Sequence, residues 1–573
     1  MMEHKRMISR LSYITIMAAC TAVFPFATSA HAIEGTVYNN QEQPIAGALL
    51  TLSSVDGLYA ESVYSDDKGR FRLITKDNDS TQLRARKLNY ADSITSIDRA
   101  HDNQIRIELR SLKTALEIAN GHTASAYYTR VKFDDPVAGG FFRIECLTCH
   151  QLGNAYTRMP RSKDRWVQIV ERMLGFYGVN DEARSQRYAD ILFDAFDDSA
   201  LDIQQKELID PVIFSAQITQ WKLPQAVIAH DVEYHSADGK LYTVDQGKDL
   251  IYITDPVSNL TETFQIPDGG IPVGGKFLRV LNNPNPFSLA VSRGPHSLQE
   301  GPDGKFYTTD TVSGQIGVFD PQTRSYVGHD IGGNAMYPHT LRFDGHGRVW
   351  FSLGVSNQVG RFDPASGEMI LIDLPATSDR PEFPIFMPYG IDVHPIDGSI
   401  WYSRLMANRI GRIMPDSLEV EEFQPPLIGP RRMRFAKDGT LWIPAFGDGT
   451  LVRLNTKTME YKKYPIPPLS PDEVEAPYAV AVHPKTQDVW ITANMSDRVF
   501  RFLPDEERFI AYPLPTRGIF LRDMVFTPDG WVCAASSMAA APLAVEGGME
   551  EVICIDPDRY ATATATGKNH QLD

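Results

Sequence analysis

The chain has 573 residues, 43% of them hydrophobic and 22% charged, with five cysteines and a net charge of −16. That length exceeds one compact core and implies several domains, and the ordinary composition excludes a mainly disordered, collagen-like or multi-span membrane chain. The acidic balance argues against a nucleic-acid partner, and five cysteines are too few for a disulfide scaffold of this size.

Lys5, Arg6 and Arg10 precede an uncharged stretch from Leu11 to Phe26, which Pro25 interrupts before Ala30-His31-Ala32. This is the layout of a secretory signal peptide over residues 1–32, with cleavage after Ala32. The stretch is short for a stable span, so none is expected after cleavage. A lipoprotein signal ending at Cys20 is the weaker alternative.

Residues 33–112 show short alternating runs such as Gly35-Thr36-Val37-Tyr38, with a hairpin turn at Asp67-Lys68-Gly69 before Phe71. Together with Pro44-Ile45-Ala46-Gly47-Ala48, these residues resemble the carboxypeptidase regulatory-like family, which implies a small β-sandwich without chemistry of its own. Residues 113–218 read as helical. After Ser162, Trp166, Ile169, Val170, Met173 and Leu174 share one face, and Gly175 and Gly178 can stop the helix. A second helix is expected after Asn180, with Ala183, Ile191, Leu192 and Phe196 apolar.

Within that helical region Cys146-Leu147-Thr148-Cys149-His150 is C-x-x-C-H. Two thiols at this spacing reach the two vinyl groups of one porphyrin, and the adjacent histidine becomes the proximal iron ligand. Half a zinc site or a redox thiol pair are the alternatives, but no second ligand pair and no βαβ pattern stands nearby. The region resembles c-type cytochrome domains, which implies one covalent haem c on Cys146 and Cys149, His150 on the iron, and one-electron transfer. Met173, with Met159 as alternative, is the candidate sixth ligand. An exported haem protein points to a bacterial periplasm.

From 219 to 558 an aromatic after a turn recurs at Tyr242, Tyr307, Trp350, Trp401, Trp442 and Trp490, with Cys533 in the seventh place. Asp-Gly turns precede most copies, at Asp238-Gly239, Asp303-Gly304, Asp397-Gly398, Asp438-Gly439 and Asp529-Gly530. Units of about 40–50 residues with four strands each describe a seven-bladed β-propeller. The expected fold class is therefore multidomain and mainly β: a small β-sandwich, an α-helical cytochrome c domain, a seven-bladed β-propeller, and a flexible tail over 559–573. Tyr337-Pro338-His339-Thr340-Leu341 and Pro388-Tyr389-Gly390-Ile391, each followed by its Trp strand, resemble the streptogramin B (virginiamycin B) lyase propellers.

Aligned on the aromatic, two rings emerge. Upstream lie His230, His296, His339, Tyr389, Arg431, Tyr478 and Arg522; downstream lie Asp245, Asp310, Leu353, Arg404, Ala445, Ala493 and Ser536. Both rings are expected at the mouth of the central channel, against the plainer reading of a water-filled channel without chemistry. The lyase resemblance implies a histidine general base after a proline, a second histidine one blade earlier, and two glutamates holding magnesium. The matching positions are His296, His230 and Asp310, with His339 a further candidate; the second acid is replaced by Gly294, and the blade of His339 carries Leu353 where an acid is expected. The acid–metal half of that site is incomplete. The histidines with Asp245 or Asp310 would alternatively suit a divalent transition metal, and Arg404, Arg431 and Arg522 a carboxylate or phosphate.

Three functions follow: a haem-dependent oxidoreductase, or docking site for a redox partner protein, in which the propeller holds a small-molecule substrate; a lyase with an accessory cytochrome; or a non-catalytic binding module in an electron-transfer complex. Cys533 and Cys554, aligned to the third blade, fall opposite each other across a hairpin and are candidates for a cross-strand disulfide.

Overall fold

The computed structural model describes residues 31–75, 82–97, 104–197, 199, 201–277, 290–380, 382–537 and 550–561. The expected signal segment up to Ala30, with Cys20, and the tail beyond Ala561 lie outside them. The expected cleavage point after Ala32 falls inside the first strand, His31–Asn39, where Ala32 pairs with Ile74.

The Asp-Gly turns do what their chemistry allows. Gly239, Gly304, Gly398, Gly439 and Gly530 all hold φ between 71° and 94°, the left-handed region that favours glycine, and each reverses the chain into a strand. Six four-stranded antiparallel sheets follow in order, their innermost strands being Ala229–Tyr234, Pro295–Glu300, Pro338–Phe343, Pro388–Val393, Arg434–Phe435 and Pro477–Val482. The seventh blade is built from both ends of the repeat region. Leu521–Phe526, Val532–Ser536 and Glu551–Asp556 receive Gln217–Lys222 as their outer strand. This strand closes the ring, so the expected boundary between residues 218 and 219 falls inside a strand.

The blade aromatics are packing anchors. Trp350, Trp401, Trp442 and Trp490 lie directly across the hairpin from Arg361, Arg412, Arg453 and Arg501, whose guanidinium groups sit 5.8–6.0 Å from the indole centroids. At the same two positions of the seventh blade stand Cys533 and Cys554, paired directly and joined as a disulfide.

At the N-terminus, a three-stranded sheet faces a second sheet across a core that includes Val37, Leu50, Leu73, Leu83 and Ile107. The second sheet does not end there. Its strand Tyr59–Tyr64 pairs with Gln217–Lys222, so it runs continuously into the seventh blade. The pairing covers the edge that the closing strand would otherwise expose. The first residues of the expected tail are docked: Tyr560 Oη accepts from the Ile74 amide at 3.1 Å and donates to Gln217 at 3.2 Å.

Among the described residues five short α-helices lie between: α1 (Ala115–Gly121), α2 (Ala124–Tyr128), α3 (Pro136–Cys146), α4 (Lys163–Gly175) and α5 (Glu182–Ala195). Thr114, Asp135, Ser162 and Asp181 cap α1, α3, α4 and α5 by accepting backbone N–H bonds, Thr114 within a capping box with Glu117. Trp166, Val170 and Leu174 form the buried stripe of α4, whereas Met173 is only half-buried. The core between the helices is continuous with the propeller. Phe142, Leu147, Trp166 and Tyr177 share one apolar cluster with Phe383, Leu405, Phe446, Met495 and Phe520 from the loops on one face of the propeller.

Candidate functional site at the propeller axis

Six of the seven inner strands begin with a register shift, for example between Pro295 and Leu298, Pro338 and Leu341, Pro388 and Ile391, and Leu521 and Met524, and in the fifth blade an isolated bridge from Pro430 to Ala445 precedes Arg434–Phe435. Such bulges break the alternation of side chains. Consecutive residues therefore reach the axis: His230 with Asp231, Arg431 with Arg432, Arg522 with Asp523. Hydroxyls two positions after the blade aromatic fix the ring from behind. Thr309, Ser352 and Ser403 each donate at 2.7 Å to the carbonyl of the ring residue in the next blade, His339, Tyr389 and Arg431.

The upstream ring converges as the sequence offset implies, and it is buried, Arg522 at 5% being its most exposed member. His230, His296, His339 and Tyr389 form a staircase of rings with centroids 3.6, 4.1 and 4.0 Å apart. Tyr389 Oη donates to Tyr478 Oη at 2.8 Å. The Arg431 guanidinium lies 3.9 Å over the Tyr478 ring and 4.3 Å over Phe446 and also bonds the Tyr389 hydroxyl. Arg522 donates to Tyr478 Oη at 3.3 Å. Burial holds all three histidines well below the ordinary imidazole value, with Arg522 or Arg432 adding to it, so they are neutral near pH 7. Burial pushes the Tyr478 hydroxyl up, but Arg522, Arg432 and Arg431 outweigh it and hold it below the usual phenol value.

One layer deeper is a hub absent from the sequence reading. Arg432 Nη1 bonds both oxygens of Asp231 at 2.7 and 2.8 Å and lies 3.0 Å from Asp523. Asp523 is shared with Arg342 at 3.0 Å and with Arg434, and Asp231 accepts from His230 Nδ1 at 2.8 Å. The alternation expected of strands conceals these residues, which sit one place after ring positions.

Three members of the downstream ring, Asp245, Asp310 and Arg404, bind partners away from the histidines. Asp245 accepts the amides of Val227, Ile228 and Gly247, pinning the loop before its inner strand. Asp310 is held by Thr308 at 2.8 Å, Tyr326 at 2.6 Å and Arg293 at 3.3 Å, partners in its own blade and loop rather than the histidines. Arg404 is paired with Glu422 at 2.8 Å. These are intra-blade clamps because the second strand turns these side chains into its own sheet. Among the described residues no three His, Cys, Asp or Glu side chains converge to hold a metal ion, and the histidine rings lie against one another tilted by 34° and 47°.

The C-x-x-C-H turn lies directly on the ring. Cys146 ends α3, and the Cys149 carbonyl accepts from Arg522 Nη2 at 3.4 Å. Gln151 Nε2 donates to Asp497 and to the Ile519 carbonyl, each at 2.9 Å, and Arg143 Nε to the Gly447 carbonyl at 2.6 Å. Glu145, next to Cys146, is buried against Arg380, whose guanidinium stacks 3.9 Å over Phe383. Met159 lies in the loop before Pro160 and is 45% exposed.

This arrangement defines a seven-bladed β-propeller with a polar aromatic axis and a helical cap. A model of the virginiamycin B lyase family matches residues 286–467, the stretch that contains His296, His339, Tyr389 and Arg431. Two solved structures resemble the chain: virginiamycin B lyase from Staphylococcus aureus, 17% identical over 59% of this chain and 99% of that one with a TM-score of 0.46, and a streptogramin B lyase, 19% identical over 60% and 98% with a TM-score of 0.47. No curated protein matches the chain.

Proposed function

We propose that this chain is an exported, periplasmic c-type haem protein whose propeller holds a reduced small molecule or a redox partner and passes electrons to the haem. The observation that carries this reading is the seat of the Cys146–His150 turn on the ring, where Arg522 bridges the Cys149 carbonyl and the Tyr478 hydroxyl. The turn's residues suit the group. Cys146 and Cys149 are unbridged, and burial pushes both thiols up, keeping them protonated. His150 Nδ1 faces the Gln151 carbonyl at 2.9 Å, which leaves Nε2 for iron. Bound there, haem c supplies a one-electron redox centre. Cys146 and Cys149 would hold it covalently and His150 would ligate it, with Met173 or Met159 as sixth ligand. The apolar cap excludes water from the ring, and Arg431 and Arg522 orient any acidic group presented there. The N-terminal double sheet, read as a carboxypeptidase regulatory-like unit, acts as a brace and spacer.

The test is expression with a cytochrome c maturation system. One covalent haem per chain, absent from a Cys146→Ala/Cys149→Ala variant, supports the reading; a wild-type chain matured without haem ends it.

The family match favours a second reading, elimination chemistry with His296 as base. Its weakness is local, since Gly294 stands where an acid is needed and Asp310 is bound elsewhere. Linearisation of a streptogramin ester by the wild type but not by His296→Ala would establish it.

A further inference from the structure

The near mouth of the axis is closed by the helical cap, but the opposite mouth is open. There a cavity of 320 Å³ is lined by Asp231, Glu233, Gln299, Arg342, Arg434 and Asp523. Between the two faces runs one chain of polar contacts. Tyr389 Oη donates to Tyr478 Oη at 2.8 Å, Tyr478 Oη meets His230 Nε2 at 3.5 Å, and His230 Nδ1 meets Asp231 Oδ1 at 2.8 Å. Asp231 is itself a wall of the far cavity.

We propose that this chain is a proton path through the propeller axis, joining the tyrosine pair under the helical cap to solvent in the far cavity, with Glu233 at its exit. Each member has the chemistry for relay. A proton leaving Tyr478 Oη is taken by His230 Nε2 as the Nδ1 proton passes to Asp231, and from there to cavity water or Glu233. One proton enters, one leaves, and the imidazole changes tautomer. Neutral His230 is ready to accept, and Arg432, Arg431 and Arg522, which face Tyr478 together with Tyr389 and Phe520, stabilise the phenolate left behind. Burial pushes the half-buried Glu233 carboxyl up to about 8, so it exchanges protons near neutral pH. His296 and His339 are spurs, because their Nδ1 atoms face the His339 carbonyl and the Thr340 hydroxyl. The path answers a physical need: charge changing inside a capped, low-dielectric site is costly unless a proton moves with it.

The inference stands on the propeller alone and does not depend on the haem reading. The test is a rapid jump from neutral to alkaline pH on the full-length protein, following tyrosinate absorbance, with Tyr478→Phe identifying the Tyr478 signal. His230→Gln and Asp231→Asn are expected to slow Tyr478 ionisation at least about tenfold. Glu233→Gln, at the open mouth, slows it as well. Thr309→Ala loosens the ring at His339, a spur, without touching the chain, and leaves the rate unchanged. Wild-type rates in both His230→Gln and Glu233→Gln, or equal slowing in Thr309→Ala, overturn the proposal.

Discussion

Replacing Arg432 with methionine tests the axial hub most directly. The guanidinium is fully buried, and both carboxylates it serves are nearly so, at 3% and 7% side-chain exposure. They do not suffer equally. Asp523 keeps Arg342 and Arg434, whereas Asp231 keeps only the neutral His230. Removing one partner of a buried pair typically costs about 3–5 kcal/mol, mostly the penalty of the charge left behind. With one carboxylate orphaned and the other still paired, the lower end, about 3 kcal/mol, is expected. Methionine fills similar volume, so little cavity cost is added. Chemical denaturation followed by tryptophan fluorescence reads the loss, because Trp350, Trp401, Trp442 and Trp490 report on four blades. The double variant Arg432→Met/Asp231→Asn removes the orphaned charge and should recover at least half of the loss. The Tyr478 hydroxyl supplies a second readout. Arg432 is among the groups lowering it, so the variant forms tyrosinate at higher pH. A loss below about 1 kcal/mol, or no recovery in the double variant, would refute the reasoning.

Three further outcomes are expected. His230, His296 and His339 have folded-state values lowered from 6.5, so the unfolded chain binds protons first and stability falls as pH drops below 6.5. The slope is up to about 1.4 kcal/mol per pH unit for each histidine, and denaturation midpoints in His339→Asn should lose one such share. Glu233 has the opposite sign: raised from 4.5 to about 8, it adds stability below 4.5 that is lost as pH rises through 8, and Glu233→Gln removes that decline. Reducing Cys533–Cys554, which lie 21 residues apart, should lower stability by about 3 kcal/mol. A free-thiol assay on the denatured, unreduced chain should find neither cysteine reactive.

The C-x-x-C-H motif, the blade aromatics and the ring of His230, His296, His339, Tyr389, Arg431, Tyr478 and Arg522 were legible because each depends on spacing along one strand or turn. Spacing gives height along the axis but not the direction of a side chain. Asp245, Asp310 and Arg404 therefore read as channel residues, while their partners, the loop amides, Tyr326 and Glu422, lie in other strands and loops. The Arg432, Asp231 and Asp523 hub was invisible for the complementary reason, since a bulge that breaks the two-residue period leaves no mark in composition. The hydroxyls at Thr309, Ser352 and Ser403 did leave one: each stands two places after a blade aromatic.

Local chemistry alone determined that this chain makes seven repeated hairpin units, that five glycines turn them, and that two cysteines and a histidine stand at haem-binding spacing. Contacts between distant segments decided the rest. Gln217–Lys222 closes a blade whose other strands begin about 300 residues later, and the N-terminal sheet extends that same blade. The helical cap buries its apolar side chains against propeller loops as well as against itself. No local pattern encodes such pairings, because an edge strand or an apolar helix face specifies that it must be covered, not what covers it.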